Sequence, residues 1–362
     1  MINLGISIYP DKSDLQADLD YIDLAAKYGV KRIFTNLLGL GEKTKAEIKA
    51  EFSTRINHAH QYNIEVMVDV APNIFEELDI TYEDLSFFNE IGADGIRMDE
   101  AFDGTKEAIM SHNEYGLKLE FNASGSTKQI ENILSFKPNN NKIIASHNFY
   151  PQKYTGLGLD YFLRNSQAIK ANNIELSAFV SSNEKDAFGP WDVNEGLCTL
   201  EANRNLPIDL QARHLIATGL IDNVSIANAY ASEAEFKALA KIADGKVNLK
   251  VNLEYDLTDS EKEILYYAKH FVRGDISDYM RRSTMTRIIF KNSVVKPKNT
   301  RALKRGDIVI VNDNYSRYKG ELHIVLMDME NEGNKNVVAR VKDEELFLLD
   351  YLDSWKQFII IE

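Results

Sequence analysis

The sequence predicts an α/β fold, a (β/α)8 TIM-like barrel over residues 1–245 followed by a small, mostly β domain over residues 246–362. Three observations carry this expectation. Short apolar runs alternate with longer stretches of helical spacing, which implies βαβ units and a parallel sheet. The alternation repeats eight times within the first 245 residues, the usual size of such a barrel. Beyond that point the pattern turns to short β runs, and the charge changes with it. Residues 1–245 hold 22 basic and 36 acidic side chains (−14), and residues 246–362 hold 20 and 19 (+1).

The strand runs are Asn3–Tyr9, Arg32–Leu38, Glu65–Val70, Gly95–Glu100, Leu117–Ser124, Lys142–Tyr150, Glu175–Ser182 and Asn223–Tyr230. The first helical stretch is Asp14–Tyr28, with Leu15, Leu19, Ile22, Leu24 and Ala26 at helical spacing. Thr44–Tyr62, Tyr82–Glu90, Thr105–Glu114, Lys128–Ser135, Asp160–Asn172, Ile208–Thr218 and Glu233–Ala243 follow. A doubly wound open sheet is the runner-up, but Ser7-Ile8-Tyr9-Pro10-Asp11 lacks the glycines that cradle a phosphate after a first strand. In the second part a helical segment, Asp259–His270, precedes β runs at Thr286–Phe290, Gly306–Val311, Gly320–Met327, Asn336–Val341 and Gln357–Ile361.

Composition narrows the function classes. Hydrophobic content of 44% argues against disorder. The single cysteine, Cys198, allows no intrachain disulfide and no cysteine-rich metal site. An acidic first part is a poor binder of nucleic acid or of an anionic membrane surface. No run approaches 18 apolar residues, and Met1–Leu15 lacks a basic stretch followed by an apolar one. A soluble, cytoplasmic protein is therefore expected, with a small molecule as its partner. No metal and no cofactor are expected: His58 and His60 lie two apart in a helical stretch and face different sides, and no His-Glu-x-x-His occurs.

In a barrel the chemistry gathers at the C-terminal ends of the strands. Within Gly95–Glu100, Ile96 and Met98 suit the helix-facing side, so Arg97 and Asp99 point inward. Within Leu117–Asn122 the same alternation turns Lys118, Glu120 and Asn122 inward. Charges inside a barrel are costly unless paired or used. One reading is a buried ion-pair network. The functional reading is a carboxylate pair, Asp99 and Glu120, with Arg97 and Lys118 as supporting partners. Asp69 ends its strand and serves either as a site group or as a cap. Asn36 and Asn228 are placed to hydrogen-bond a polar ligand. His147, Asn148 and Tyr150 form a polar and aromatic cluster at the end of the sixth strand. The long connection after the seventh contributes Glu195, Glu201 and Arg204, and connections of that length are usually functional. No Gly-x-Ser-x-Gly elbow occurs, so carboxylate chemistry without a metal remains, and paired carboxylates suit glycoside hydrolysis.

Several stretches together resemble the 6-phospho-N-acetylmuramidase family. They are Gly95-Ile96-Arg97-Met98-Asp99, Leu119-Glu120-Phe121-Asn122-Ala123-Ser124, His147-Asn148-Phe149-Tyr150-Pro151 with Tyr154-Thr155-Gly156-Leu157, and Gly189-Pro190 with Glu195-Gly196-Leu197-Cys198-Thr199-Leu200-Glu201 and Arg204. The C-terminal Arg305-Gly306-Asp307-Ile308, Tyr315–Leu322 and Asn336–Val341 fit as well. Trp191, Cys198, Asn203 and Phe121 depart from the family pattern. The resemblance implies a TIM-like barrel followed by a cyclophilin-like domain. It also implies an intracellular enzyme that hydrolyses the β-1,4 bond of N-acetylmuramic acid 6-phosphate–N-acetylglucosamine during cell-wall recycling. On the inward-facing strand geometry alone, Asp99 and Glu120 are the expected catalytic carboxylates, with Glu195 or Glu201 as the alternative partner and the substrate's own N-acetyl group as an alternative nucleophile. Arg204, Arg282 and Arg287 are the expected phosphate ligands. Two other classes stay open. A sugar-phosphate aldolase or isomerase needs a Schiff-base lysine, for which Lys118 is the interior nominee, or clustered metal ligands. A non-catalytic sugar-binding protein needs neither.

Overall fold

The computed structural model of the protein describes all residues except 38–40, 42, 71, 99–101, 126 and 362. The described chain falls into two compact units, Met1–Asp244 and Gly245–Glu362.

The first unit is a closed barrel of eight parallel strands in chain order. They are β1 (Asn3–Ile8), β2 (Arg32–Leu37), β3 (Glu65–Val70), β4 (Gly95–Met98), β5 (Lys118–Asn122), β6 (Ile143–Ser146), β7 (Glu175–Val180) and β8 (Asn223–Ile226). Closure sets Asn3 opposite Asn223 and Gly5 opposite Ser225. The helices between them are α1 (Leu15–Lys27), α2 (Lys45–His60), α3 (Pro72–Glu77), α4 (Ser86–Glu90), α5 (Thr105–Met110), α6 (Thr127–Ser135), α7 (Leu159–Lys170), α8 (Ile208–Thr218) and α9 (Glu233–Ala240). Their starts are written in the sequence. Asp14 accepts from the Gln16 and Ala17 amides, and Thr44 with Glu47 and Ser232 with Glu235 form capping boxes.

The two faces of each strand divide the work. The outward residues, such as Ile6, Ile33, Val68, Met98, Leu119 and Leu176, are buried against Ile22, Phe52, Phe88, Phe162 and Phe236 of the helices. The inward residues are largely polar and buried: Ser7, Asn36, Asp69, Arg97, Glu120 and Ser177. Gly95 is inward too. A Cβ there would stand 2.4 Å from Met67 Cε and 2.8 Å from the Lys118 carbonyl oxygen, so the methionine occupies the space a side chain would need.

Several strands stop earlier than their apolar runs. The fifth ends at Asn122, whose Oδ1 turns to accept the Ser124 amide at 2.8 Å and leaves the ladder. The sixth and eighth end at Ser146 and Ile226, short of Tyr150 and Tyr230.

The second unit holds a seven-stranded mixed sheet. In chain order its elements are β9 (Val247–Leu253), α10 (Asp259–Leu265), β10 (His270–Phe271), β11 (Met280–Ser283), α11 (Met285–Ile289), β12 (Asp307–Val311), β13 (Leu322–Val325), β14 (Lys335–Val341) and β15 (Gln357–Ile361). Across the sheet the order is β10-β15-β9-β14-β12-β13-β11. One expectation is corrected, and one strand was not expected. Thr286–Phe290 is not a strand but lies in the α11 turn, where Thr286 Oγ1 donates to the Ser283 carbonyl. The strand lies just before it, at Met280–Ser283, paired with β13. β9, unforeseen in the sequence, is central and joins β15 in parallel and β14 antiparallel.

Candidate active site

The strand register builds the site. Asn36 stands opposite Asp69, Asp69 opposite Arg97, and Arg97 opposite Glu120. Paired residues of parallel neighbours share a face, so these four form one inward row across β2, β3, β4 and β5. Arg97 organises it. Its Nη1 donates to Asp69 Oδ1, its Nε to Ser146 Oγ at 3.0 Å and its Nη2 to Asn148 Oδ1. The guanidinium lies 5.9 Å from the centre of the Phe34 ring. Phe34, Phe149 and Phe179 meet edge to face at 5.2–6.0 Å, an aromatic cluster beneath the charges.

Glu120 is 3% exposed, and its Oε2 is buried without a hydrogen bond. A buried, unsatisfied carboxylate oxygen is costly and calls for a reason. Glu120 is one of three carboxylates that act on Arg32. Burial alone would lower the Arg32 pKa, but Glu120, Glu175 and Glu65 outweigh that and raise it.

The opposite, N-terminal end of the barrel carries its own ion cluster. Arg32 Nη2 reaches Glu175 at 2.8 Å and Glu65 at 3.2 Å, and Lys118 Nζ donates to both Glu65 oxygens at 2.7 and 2.9 Å. Lys118, the first residue of β5, therefore belongs to the barrel floor and not to the mouth. The aldolase reading loses its lysine on this geometry.

The other expected site residues divide in two. Asn148 and Asn122 stay with the row: Asn148 binds Arg97, and Asn122 caps the turn after β5. Asp99 lies outside the described residues. The rest are occupied elsewhere. His147 is fully buried, its Nε2 2.9 Å from Ser166 Oγ of α7 and its ring 4.7 Å from that of Phe162. It faces the helix layer, and burial pushes its pKa down to about 3, so it is a neutral structural group. Asn228 accepts the Ser182 amide at 2.7 Å and donates to the Ser182 carbonyl at 3.0 Å, which fastens the β7 loop to the β8 loop. Tyr150 bridges by its amide to the Cys198 carbonyl. Glu195 is exposed, with Oε2 on the Lys153 amide at 3.0 Å.

Arg204 is not free for a phosphate. Its Nε and Nη2 donate to the two Glu201 oxygens at 2.7 and 2.6 Å, and its Nη1 to the carbonyls of Tyr150 and Gly196 at 2.8 and 2.6 Å. Glu201 also accepts the amides of Tyr154 and Gly156. The Arg204 hydrogen bonds, with those amides, bring the Glu201 pKa down to about 2. This pair pins the two long loops together and occupies both oxygens of Glu201. Arg282 and Arg287 both lie on Glu321 in the second unit, at 2.7 and 3.4 Å.

A second buried network went unread in the sequence. Asp18 of α1 accepts from Arg55 Nε and Ser13 Oγ, each at 2.6 Å, and from the Tyr230 hydroxyl at 2.9 Å. The available signal was an acidic residue on the stripe shared with Ile22, a position that otherwise calls for an apolar side chain.

Comparison with known proteins adds the following. A family model described as 6-phospho-N-acetylmuramidase, N-terminal, matches residues 4–241, and one described as 6-phospho-N-acetylmuramidase, C-terminal, matches residues 247–361. The chain is similar to the crystal structure of an uncharacterized B. cereus protein, at 47% identity and a TM-score of 0.90, covering 100% of both chains. It is also similar to a conserved protein from a locus in Enterococcus faecalis with an unknown function, at 23% identity and a TM-score of 0.70, over 99% of this chain and 96% of that one. The second likeness is one of fold. No curated protein matches the chain.

Proposed function

The chain belongs to the 6-phospho-N-acetylmuramidase family and is a glycosidase, and we propose that it cleaves the β-1,4 bond between N-acetylmuramic acid 6-phosphate and N-acetylglucosamine in cell-wall recycling. The observation that supports the chemistry is the inward row Asn36–Asp69–Arg97–Glu120, with one Glu120 oxygen buried and unbonded. In this reading Glu120 and Asp99 are the catalytic carboxylates, and Asp69 and Arg97 hold the row in place. One carboxyl protonates the leaving glycosidic oxygen, and the other attacks the anomeric carbon or activates water. Asn36, Asn122 and Asn148 supply neutral hydrogen bonds. The barrel unit carries the reaction. The cyclophilin-like character implied for residues 246–362 and a cytoplasmic setting belong to the same proposal; among the described residues no helix is long and apolar enough to cross a membrane.

The test is direct. Purified protein is given the disaccharide with and without its 6-phosphate, in the presence and absence of chelator. Cleavage of the phosphorylated form alone, unchanged by chelator, is expected. Failure of the wild type to cleave it would end the proposal.

A further inference from the structure

The second unit contains a cavity of about 240 Å3 lined by Met280, Arg282, Tyr315, Tyr318, His323 and Lys335, together with Val311. The sheet register assembles it. Arg282 of β11 stands opposite His323 of β13, and Val311 of β12 stands opposite Lys335 of β14. Antiparallel partners point to the same side, so one face of the sheet gathers these groups. The apolar part of that face is Val309, Val325 and Val337, closed by Leu303.

His323 is 6% exposed, and neither of its ring nitrogens makes a hydrogen bond, although both are buried. Its Nε2 lies 3.4 Å from Glu321 Oε1, without hydrogen-bond geometry. A buried imidazole with no hydrogen bond is costly, and a ligand oxygen in the cavity would remove that cost. Glu321 is fully buried and binds Arg282 Nε at 2.7 Å, and Arg287 Nη1 lies 3.4 Å from its other oxygen. Lys335 adds a third cation, half-buried, with Nζ on Asn334 Oδ1 at 2.9 Å. Of these cations Arg282 and Lys335 line the cavity, Arg282 paired with Glu321 and Lys335 within reach of the Glu332 charge. Two cationic donors converging with an unbonded imidazole on one cavity suit the anionic oxygens of a phosphate monoester. Tyr315 and Tyr318 sit with ring centres 5.0 Å apart, and Arg287 lies over the Tyr318 ring at 5.3 Å, which stiffens that wall.

We propose that this cavity binds the phosphate of a single phosphorylated sugar, with Arg282 and Lys335 on the phosphate, His323 donating from the floor, and Tyr315 and Tyr318 against the ring. The cavity is smaller than the roughly 300–1,000 Å3 of drug-sized sites, which suits one sugar ring rather than a disaccharide. The phosphate follows from the two cationic donors and the unbonded imidazole that share the cavity; the amino-sugar body rests on the functional reading above.

Calorimetric titration of the full chain with N-acetylglucosamine 6-phosphate, N-acetylglucosamine and inorganic phosphate tests this. Saturable binding of the phosphorylated sugar is expected, at least tenfold tighter than inorganic phosphate, with no binding of the unphosphorylated sugar. Arg282→Gln and Tyr318→Ala should each weaken that site tenfold or more, with far-UV circular dichroism unchanged. Glu120→Gln should leave its Kd as in the wild type. Undiminished binding in both folded cavity variants, or loss of binding only in Glu120→Gln, would overturn the proposal. Equal affinity for phosphate and sugar phosphate would overturn the role of the tyrosines. These titrations do not depend on turnover, so failure of the cleavage assay leaves their outcome readable.

Discussion

Glu120 and Arg204 illustrate how two ionisable side chains of one barrel come to different ends. Glu120 keeps an unbonded oxygen inside the strand row. Its amide isostere should lower kcat by roughly 10²–10⁴-fold, the range of acid–base groups, while thermal unfolding shows the variant folded. An unchanged kcat in both Glu120→Gln and Asp99→Asn would remove the carboxylate pair from the chemistry. Arg204, by contrast, has each of its three guanidinium nitrogens on a protein acceptor. Arg204→Ala removes the counter-charge of Glu201 and the donor to the Tyr150 and Gly196 carbonyls and should cost about 3 kcal/mol in denaturant unfolding. A loss near zero would return this arginine to the list of free ligands. Both residues were visible as candidates in the sequence. The difference lay in their partners, which come from loops up to 54 positions away for Arg204.

At the scale of elements, inward and outward faces followed from alternation alone. In β4 and β5, Ile96, Met98, Leu119 and Phe121 join the core with the helices, while Arg97 and Glu120 turn inward. Strand ends were less legible, because Asn122 and the residues after Ser146 keep the composition of a strand while their hydrogen bonds turn to loops. The α11 turn was misread as a strand because Thr286, Ile288 and Ile289 are β-formers, and the Thr286 bond to Ser283 overrides that preference. Gly95 gives this scale its test. Gly95→Ala presses a methyl on Met67 and on the Lys118 carbonyl, so it should cost about 1–3 kcal/mol by overpacking and lower activity through the neighbouring Arg97. A variant as stable and active as the wild type would show that β4 can shift without disturbing the row.

For the whole molecule, acid should unfold the chain in two windows. His147, His214 and His270 are pushed by burial from 6.5 to about 3, 4 and 4. Their folded pKa lies below the unfolded value, so the unfolded chain takes up protons first. Their contribution is complete above pH 6.5 and falls as the pH drops towards 4, by about 2 kcal/mol for each histidine at pH 5. Glu201, lowered from 4.5 to about 2, adds a second loss as the pH falls from 4.5 towards 2. Denaturant midpoints between pH 7 and 4 measure the first window, and His147→Gln should flatten it. A pH-independent midpoint above pH 5 would contradict the buried, neutral imidazoles. The charge split has a structural counterpart: the acidic −14 lies on the barrel unit and the +1 on the second unit, where the cationic cavity is found.

The sequence by itself determined the eightfold β/α alternation, the change of pattern near residue 245, and which residues of β4 and β5 turn inward. Each depends on periodicity or composition within a short stretch, and such signals are local. Tertiary structure alone decided which inward groups meet. The barrel's register set Asn36, Asp69, Arg97 and Glu120 in one row, sent Lys118 to the floor and turned His147 towards α7. Those outcomes depend on the stagger between strands and on loop closure over long separations, and neither is encoded in any one segment.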